Sequence, residues 1–390
     1  MFGRPLLVSC LQVTSLFTPL SPRLRRFTVL ALESSADDSC AAVVTSDRRV
    51  LSNIVVKQTA EVEKYGGIHP YIAIQSHQKN LPGAVRNALE DANLSVNEID
   101  GIAFTRGPGM GGCLSVASNA AKTLAAALNK PLIGVHHMQA HALTALLTSS
   151  KDDMPVFPFL TLLVSGGHTM LVLVRSVDSF ETLCNTVDIS IGNVYDKVFR
   201  LLGLPPHPDQ LGPGAALERF CNENSPMDLE IPQFSIASPG QRQFSYAGLL
   251  SAVQYEIKRR PGNHDPESRE LSHEDKVAIA HGFQKAAAAQ LVEKLGLVLD
   301  VCIKQGLLVK HLVMSGGVAS NDYVRNTLRT SLKTSALEEA RNVTLCCPPA
   351  QLCTDNAVMI AWASMHRFLN HDHDDYTIDL RPTWSIEEAR

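Results

Sequence analysis

A coarse internal repeat constrains the fold of this chain more than any other feature. The stretch "FTVLALESSADDSCAAVVTSDRRVLSNIVV" (27–56) holds three short β-rich runs, at about 28–33, 39–45 and 50–56, separated by turn residues. That pattern predicts an antiparallel meander. The outline returns in "FPFLTLLVSGGHTMLVLVRSVDSFETLCNTV" (157–187), with runs near 159–164, 169–175 and 180–185. Each meander is followed later by a strand, a glycine-rich turn and a helix: "IDGIAFTRGPGMGGCLSVASNAAKTLAAAL" (99–128) and "KHLVMSGGVASNDYVRNTLRTSL" (310–332). Two similar α/β halves with a cleft between them satisfy this repeat. A chain of 390 residues also exceeds one typical core. "TSSKDDMPVFP" (148–158) is a plausible boundary, and "RRPGNHDPESRELSHED" (259–275) reads as an exposed loop before a long helical pattern.

The turns carry the first chemical signals. "GPGMGG" satisfies G-x-G-x-x-G through Gly107, Gly109 and Gly112. A dinucleotide fold would add an acid about 20 residues on, and "LAAALNKPLIGV" offers none. What remains is a tight turn that lets the backbone approach a ligand or another helix. "VSGGHT" and "MSGGVASN" stand at equivalent places in the two halves. Glycines after a strand leave backbone N–H groups open to a phosphate, so the pair suggests opposite walls of a nucleotide cleft. The first turn of the chain adds the paired carboxylates of Asp37 and Asp38, which suit a metal or a reacting group as well as a solvated hairpin.

In "GVHHMQAHALTALL" (134–147), His137 and His141 are four residues apart and project from one helix face. A zinc protease helix would need Glu directly after the first His, and Met138 is there instead. The histidines therefore either bind a cation with a distant oxygen ligand or only cap and pack a helix. Asp355 in "CTDNAVMIAW" opens a helical pattern directly after the strand-like "VTLCCPP" and can supply that oxygen, although a helix N-cap role would also explain it.

Composition excludes some classes. Hydrophobic residues make up 45% of the chain, but no apolar run reaches the roughly 18 residues of a membrane span, and no membrane partner is expected. The formal charge of −4 does not advertise a polyanion partner, so any such partner must meet a local basic patch. Residues 1–27 carry Arg4, Arg23, Arg25 and Arg26 with Ser and Thr and no acid, the composition of a mitochondrial transit peptide. Nine cysteines show no CxxC pair, which favours reduced, buried thiols in cytosol or matrix.

Taken together, these segments resemble the TsaD family, the tRNA adenosine threonylcarbamoyltransferases, and most closely its mitochondrial branch. The resemblance runs from about residue 28 to 370, with a "RPTW" echo at 381–384. It is carried in order by "ALESSADDSCAAVV", "GGIHPYIAIQSH", "TRGPGMGG", "HHMQAHALT", "FPFLTLLVSGGHT", "DKVFRLLGL", "FSYAGL", "MSGGVASN" and "CTDNAVMIAW". Ala36 stands where the family's opening motif has Cys.

The resemblance implies an α/β fold with two repeated actin/hexokinase/Hsp70-like (RNase H-like) subdomains around a nucleotide cleft. The N-terminal subdomain would span 28–155 and be completed by the C-terminal helix, about 356–390; the C-terminal subdomain would span 156–355. It implies His137, His141 and Asp355 as ligands of one divalent cation (Fe, Zn or Mn), with His136 outside that set. It implies Leu163, Val164, Ser165, Gly166 and Gly167 as the phosphate-side substrate turn, and Asp196, Gly214 and Asn321 as contacts to the nucleotide's sugar and base. "LGPGAA" has Pro213 where the family has a first glycine, so Gly212 is an alternative to Gly214.

The implied reaction moves the threonylcarbamoyl group of threonylcarbamoyl-AMP, made by an upstream synthase, to N6 of the adenosine 3′ of the anticodon in mitochondrial tRNAs reading codons that begin with A. AMP is released. Asp38, or Asp37, is the candidate to orient or deprotonate the amine. A homodimer in the mitochondrial matrix is expected. A small-molecule kinase of the same fold class is the alternative, although it has no use for the HxxxH helix and its distant Asp.

Overall fold

The central strand of each half is buried on both faces, and its residue alternation shows why. In β1 (Thr28–Glu33), Val29 and Ala31 point into one apolar cluster while Leu30 and Leu32 point into another. This is the period-2 division of a strand covered on both sides. The computed structural model describes residues 26–205, 212–260 and 271–388. The leader up to residue 25, most of "PPHPDQ" and the middle of the 259–275 loop lie outside the described residues.

In the first sheet, β1 pairs antiparallel with β2 (Ser39–Thr45), which pairs antiparallel with β3 (Val50–Val56). After α1 (Thr59–Tyr65) and α2 (Pro70–Asp91), β4 (Gly101–Gly107) adds parallel to β1. The chain continues through α3 (Gly111–Leu128) to β5 (Leu132–His136), parallel to β4, and α4 (His137–Thr148). The order is β3-β2-β1-β4-β5.

The second sheet repeats this plan. β6 (Phe159–Val164), β7 (Thr169–Ser176) and β8 (Ser179–Thr186) form the antiparallel meander. The chain then runs through α5 (Ile191–Leu201), α6 (Pro213–Glu223), the short β9 (Gln243–Phe244), α7 (Ala247–Arg259) and α8 (His273–Lys304). β10 (His311–Ser315) joins parallel to β6, and after α9 (Asp322–Lys333) and α10 (Glu338–Arg341), β11 (Thr344–Cys346) joins parallel to β10. The order is β11-β10-β6-β7-β8-β9. α11 (Ala350–Cys353) and α12 (Ala357–Leu369) follow.

α2 and α3 cover the outer face of the first sheet, and α5 to α9 cover the outer face of the second. Between the sheets lie α4 and α12, whose apolar residues share one cluster with the inner faces of both. The C-terminal helix α12 packs across β1, β2, β4 and β5, while α4 packs on β6 and β10.

Two expectations need adjusting. The 259–275 stretch is helical at both ends: Arg259 closes α7, and Ser272 caps α8 by accepting from the Asp275 N–H. Arg260 there is tied to Glu256 and Asp275 rather than free in solvent. Also, α11 intervenes between β11 and Asp355, so Asp355 does not directly follow a strand. The cysteine reading agrees with the structure, in which all eight described cysteines are free and six are buried. No described helix is long and apolar enough to cross a membrane.

Candidate metal centre and substrate cleft

The C-terminal ends of β1, β4, β5, β6 and β10 converge where α4 begins. Ligands of open α/β sheets bind outside the carboxyl ends of the strands. Here the three consecutive residues at the β5–α4 junction divide the work. His136 is the N-cap of α4, its Nδ1 accepting from the Met138 and Gln139 N–H groups at 3.1 and 3.3 Å. Its Nε2 donates to the Trp384 carbonyl at 3.2 Å, and burial holds the ring neutral by pushing it down to about 3. The capping role weighed for the histidines in the sequence thus falls to His136. It leaves His137 and His141 free to face inward.

Those two rings lie 4.8 Å apart, and both aim Nε2 at one oxygen of Asp355, at 3.4 Å from His137 and 3.1 Å from His141. Asp355 precedes the N-cap of α12 by one residue. Asn356 holds the cap, accepting from the Met359 N–H at 2.9 Å, so the carboxylate of Asp355 is available to the cleft. Two nitrogens and a carboxylate oxygen within 4.8 Å of one another are a donor set that can hold a metal ion.

The remaining ring nitrogens fix the tautomers. His137 Nδ1 lies 3.1 Å from the Glu33 carboxylate, and His141 Nδ1 lies 3.4 Å from the Ser315 hydroxyl. Such outer partners orient metal-binding imidazoles. Burial lowers the His141 pKa and Asp355 only partly opposes this, leaving a neutral ring. Burial also works against charge on His137, but Asp355 and Glu33 outweigh it and push His137 up to about 10. Without a cation, a proton on His137 therefore bridges the two carboxylates. In return His137 holds both Glu33 and Asp355 below the usual carboxylate range, against the upward push of burial.

Sequence reading passed over Glu33. It ends an otherwise apolar strand, is fully buried, and accepts from the Ser35 N–H at 2.5 Å and from the Thr105 hydroxyl. A lone acid closing "TVLAL" was the available signal. Glu33→Gln keeps the shape and removes the charge, and should weaken metal affinity by about 10–100-fold. Metal titration of the stripped protein checks this.

Asp37 and Asp38 occupy the β1–β2 turn beside this cluster. His77 of α2 pins the turn: its Nδ1 lies 2.7 Å from the Ser39 hydroxyl and its Nε2 lies 3.0 Å from the Ala36 carbonyl. Burial, followed by Asp37 and Asp355, pushes Asp38 up to about 8; burial and Asp355 also raise Asp37. Lys57 opposes both shifts.

On the other wall, Leu163 and Val164 are wholly buried, so only their backbone can serve a ligand. Ser165, Gly166 and Gly167 form the β6–β7 turn. A side-chain carbon at Gly166 or Gly167 would meet nothing within 4 Å. The Gly167 N–H is not open, however; it donates to the Ser165 hydroxyl at 3.2 Å. The turn ends in His168, whose pKa burial and the nearby His137 and His141 push down to about 4. The second glycine turn supports this wall instead of mirroring it. Gly316, at φ +100°, lies against Val164, whose carbonyl a side chain there would strike.

Asp196 and Gly214 come together, the Asp196 carboxylate accepting from the Gly214 N–H at 3.0 Å, whereas Gly212 is the N-cap of α6 with open space around it. Asn321 is the N-cap of α9, accepting from Val324 N–H at 2.9 Å. Glu218, which sequence reading missed, joins α6 to α9 by accepting from the Asp322 N–H at 2.6 Å.

The "GPGMGG" turn proves to admit chain rather than ligand. Gly107, at φ +151°, lies against the Arg381 carbonyl, and a side-chain carbon at Gly109 (φ +159°) would fall 2.8 Å from the Ser35 carbonyl.

Comparison with known proteins sets this geometry in context. Residues 49–362 match the family described as "TsaD: tRNA N6-adenosine threonylcarbamoyltransferase". An Arabidopsis thaliana protein named "Probable tRNA N6-adenosine threonylcarbamoyltransferase, mitochondrial" is 36% identical over 374 residues, covering 92% of this chain and 75% of its own. A Brucella anthropi tRNA N6-adenosine threonylcarbamoyltransferase is 38% identical over 366 residues, covering 92% of this chain and 95% of its own. Among solved structures, HypF of T. kodakarensis superposes with a TM-score of 0.52 at 13% identity, over 89% of this chain and 48% of that one; this likeness concerns the fold alone.

Proposed function

Because the chain belongs to the tRNA N6-adenosine threonylcarbamoyltransferase family, we propose that it transfers the threonylcarbamoyl group of threonylcarbamoyl-AMP to N6 of the adenosine 3′ of the anticodon. The products are AMP and the t6A37-modified tRNA, the substrates being mitochondrial tRNAs that read codons beginning with A. The single observation that carries the reading is the convergence of His137, His141 and Asp355 from separate parts of the chain, with Asp37 and Asp38 beside them.

The acceptor amine is a poor nucleophile because its lone pair is delocalised into the adenine ring. Activation therefore resides in the mixed anhydride, and the protein contributes positioning and charge stabilisation. The N6 lone pair attacks the carbamoyl carbon, the C–N bond forms, and the C–O bond to phosphate breaks with its electron pair leaving on AMP. The N6 proton passes to Asp38, or to Asp37. A divalent cation (Fe, Zn or Mn) held by His137, His141 and Asp355 would supply positive charge to balance the phosphate and carbonyl oxygens. Ser165, Gly166 and Gly167 face the phosphate, with the backbone of Leu163 and Val164 behind them. Asp196, Gly214 and Asn321 take the nucleoside.

The name of the plant relative supports a mitochondrial location, and the matrix holds the tRNAs this reading requires. A homodimer and an upstream threonylcarbamoyl-AMP synthase complete the proposal. The purified protein, given threonylcarbamoyl-AMP, should release AMP in step with modified tRNA. AMP release with no change in the tRNA would count against transfer to tRNA.

A further inference from the structure

One charged group is left over from the cleft just described. Trp384 lies at the β4–β5 end of the first sheet and is only 7% exposed. Its ring stands 4.7 Å from that of His136, and its indole N–H donates to the Glu388 carbonyl at 3.0 Å. Two arginines share this indole: the guanidinium carbons of Arg106 and Arg381 lie 5.3 and 5.0 Å from the ring centroid. Arg106 is half-buried and Arg381 is exposed.

The fold brings the two cations together deliberately. The Arg381 N–H donates to the Arg106 carbonyl at 3.0 Å, and the next residues lie along the Gly107–Gly109 turn. Yet among the described residues neither guanidinium makes an ion pair with a carboxylate. Arg106 donates Nε to the Asp379 main-chain carbonyl at 2.6 Å, while the nearby Asp374 is committed to Arg367 and to the Gly134 N–H. Two other partly buried arginines are paired with carboxylates, Arg260 with Glu256 and Asp275 and Arg367 with Asp372 and Asp374, whereas Arg48 and Arg325 donate to main-chain carbonyls as Arg106 does.

Stacking on an indole orients a guanidinium and leaves its N–H donors free for an oxyanion. Burial and then Arg381 disfavour the charge on Arg106, Asp374 and Asp379 offset this only from a distance, and an anion in direct contact with both guanidiniums would relieve the repulsion. Their position specifies the anion. Arg106 is one residue from Gly107, which pairs with His136, and His136 precedes the proposed ligand His137. Gly109 abuts Ser35, two residues before Asp37. These contacts put the arginines on the rim next to the Asp37–Asp38 turn, where a backbone phosphate of an RNA presenting a base to that turn would meet them.

We propose that Arg106 and Arg381, mounted on Trp384, bind backbone phosphates of the tRNA and so set its register on the cleft. The inference rests on the proposed function for its partner and adds where that partner docks. Phosphate contacts of this kind position a nucleic acid and make its affinity salt-dependent.

The test is binding of unmodified tRNA to the full chain across a salt series. Arg381→Gln should weaken binding about tenfold, the scale of one lost hydrogen-bonded charge contact. It should also reduce the slope of log K against log salt by about 0.8, the release expected for one phosphate. Arg381→Lys should restore most of the slope, and AMP binding should be unchanged in both variants. Wild-type-like affinity and slope in Arg381→Gln would overturn the proposal while leaving the function intact. So would a loss of thermal stability without a change in slope, since the arginine would then only fasten the C-terminal segment. Failure of the wild-type chain to bind tRNA at low salt would instead overturn the function itself, and this proposal with it.

Discussion

Replacing both His137 and His141 by Ala is expected to abolish stoichiometric metal binding and to lower threonylcarbamoyl transfer by about 10²–10³, the usual loss when a group stabilising transition-state charge is removed. Helix α4 should survive. His136 keeps its cap, Leu143, Leu146 and Leu147 keep their apolar cluster, and Ala has the higher helix propensity. The structure also predicts a side effect. Glu33 loses His137 and keeps only its Ser35 and Thr105 donors, while Asp355 loses both imidazoles. Leaving buried polar groups short of partners costs about 1–3 kcal/mol each. The double variant should therefore melt somewhat earlier above neutral pH and recover in acid, where Glu33 can protonate. Metal content by mass spectrometry, with thermal melts at two pH values, checks this. Full metal and full turnover in the double variant would refute the three-ligand centre.

Asp38→Asn is the second large effect. The change keeps size and hydrogen-bonding shape but removes charge and basicity. If Asp38 takes the N6 proton, transfer should fall by about 10²–10⁴, the usual contribution of general-base catalysis, while metal and threonylcarbamoyl-AMP bind normally. The pH dependence follows from the raised carboxyl. With Asp38 at about 8, the ionised base accumulates as pH rises, so wild-type transfer should climb with pH toward that value, and the limb should move to lower pH when a cation fills the triad. In Asp38→Asn the limb should vanish. Stability carries the opposite sign. A carboxyl whose pKa is raised on folding is fully tolerated below its unfolded value, near 3.8, and increasingly destabilises the fold as pH rises through 8. Asp38→Asn should therefore be at least as stable as wild type at neutral pH. Gly167→Asp probes the other wall: a carboxylate in the open space beside that turn should weaken nucleotide binding itself. Equal loss of nucleotide binding in both variants would make Asp38 a binding residue and not a base.

Much of this architecture was legible because strand periodicity and turn residues both act over a few positions. The six meander strands fall within a residue or so of their expected limits, and the pairing of His137 with His141 needed only helical spacing. What one-dimensional reading could not settle were choices between neighbours with the same chemistry. His136, His137 and His141 can all cap or coordinate, and Asp355 and Asn356 are both good caps. Only the direction in which each side chain leaves the backbone separates them. Glu33 and Glu218 escaped notice, and His77, which closes the quoted "GGIHPYIAIQSH", was given no role, for a different reason. The partners that give them their roles are 104, 38 and 104 residues away, so apart from the lone acid closing "TVLAL" little in the local sequence announces them. The arginine pair on Trp384 joins segments still further apart.

The most direct test of the central claim is to follow the acyl group itself. The mature protein, loaded with a divalent cation, is incubated with threonylcarbamoyl-AMP labelled in the threonine and with unmodified mitochondrial tRNA, and the tRNA is then digested to nucleosides. The account predicts label on N6 of the adenosine 3′ of the anticodon, with equimolar AMP, and labelling slowed by about 10²–10³ in the His137/His141 double variant. Unlabelled tRNA, together with phosphorylation of a small acceptor when ATP is supplied instead, would contradict it and mark the chain as a kinase of the same fold.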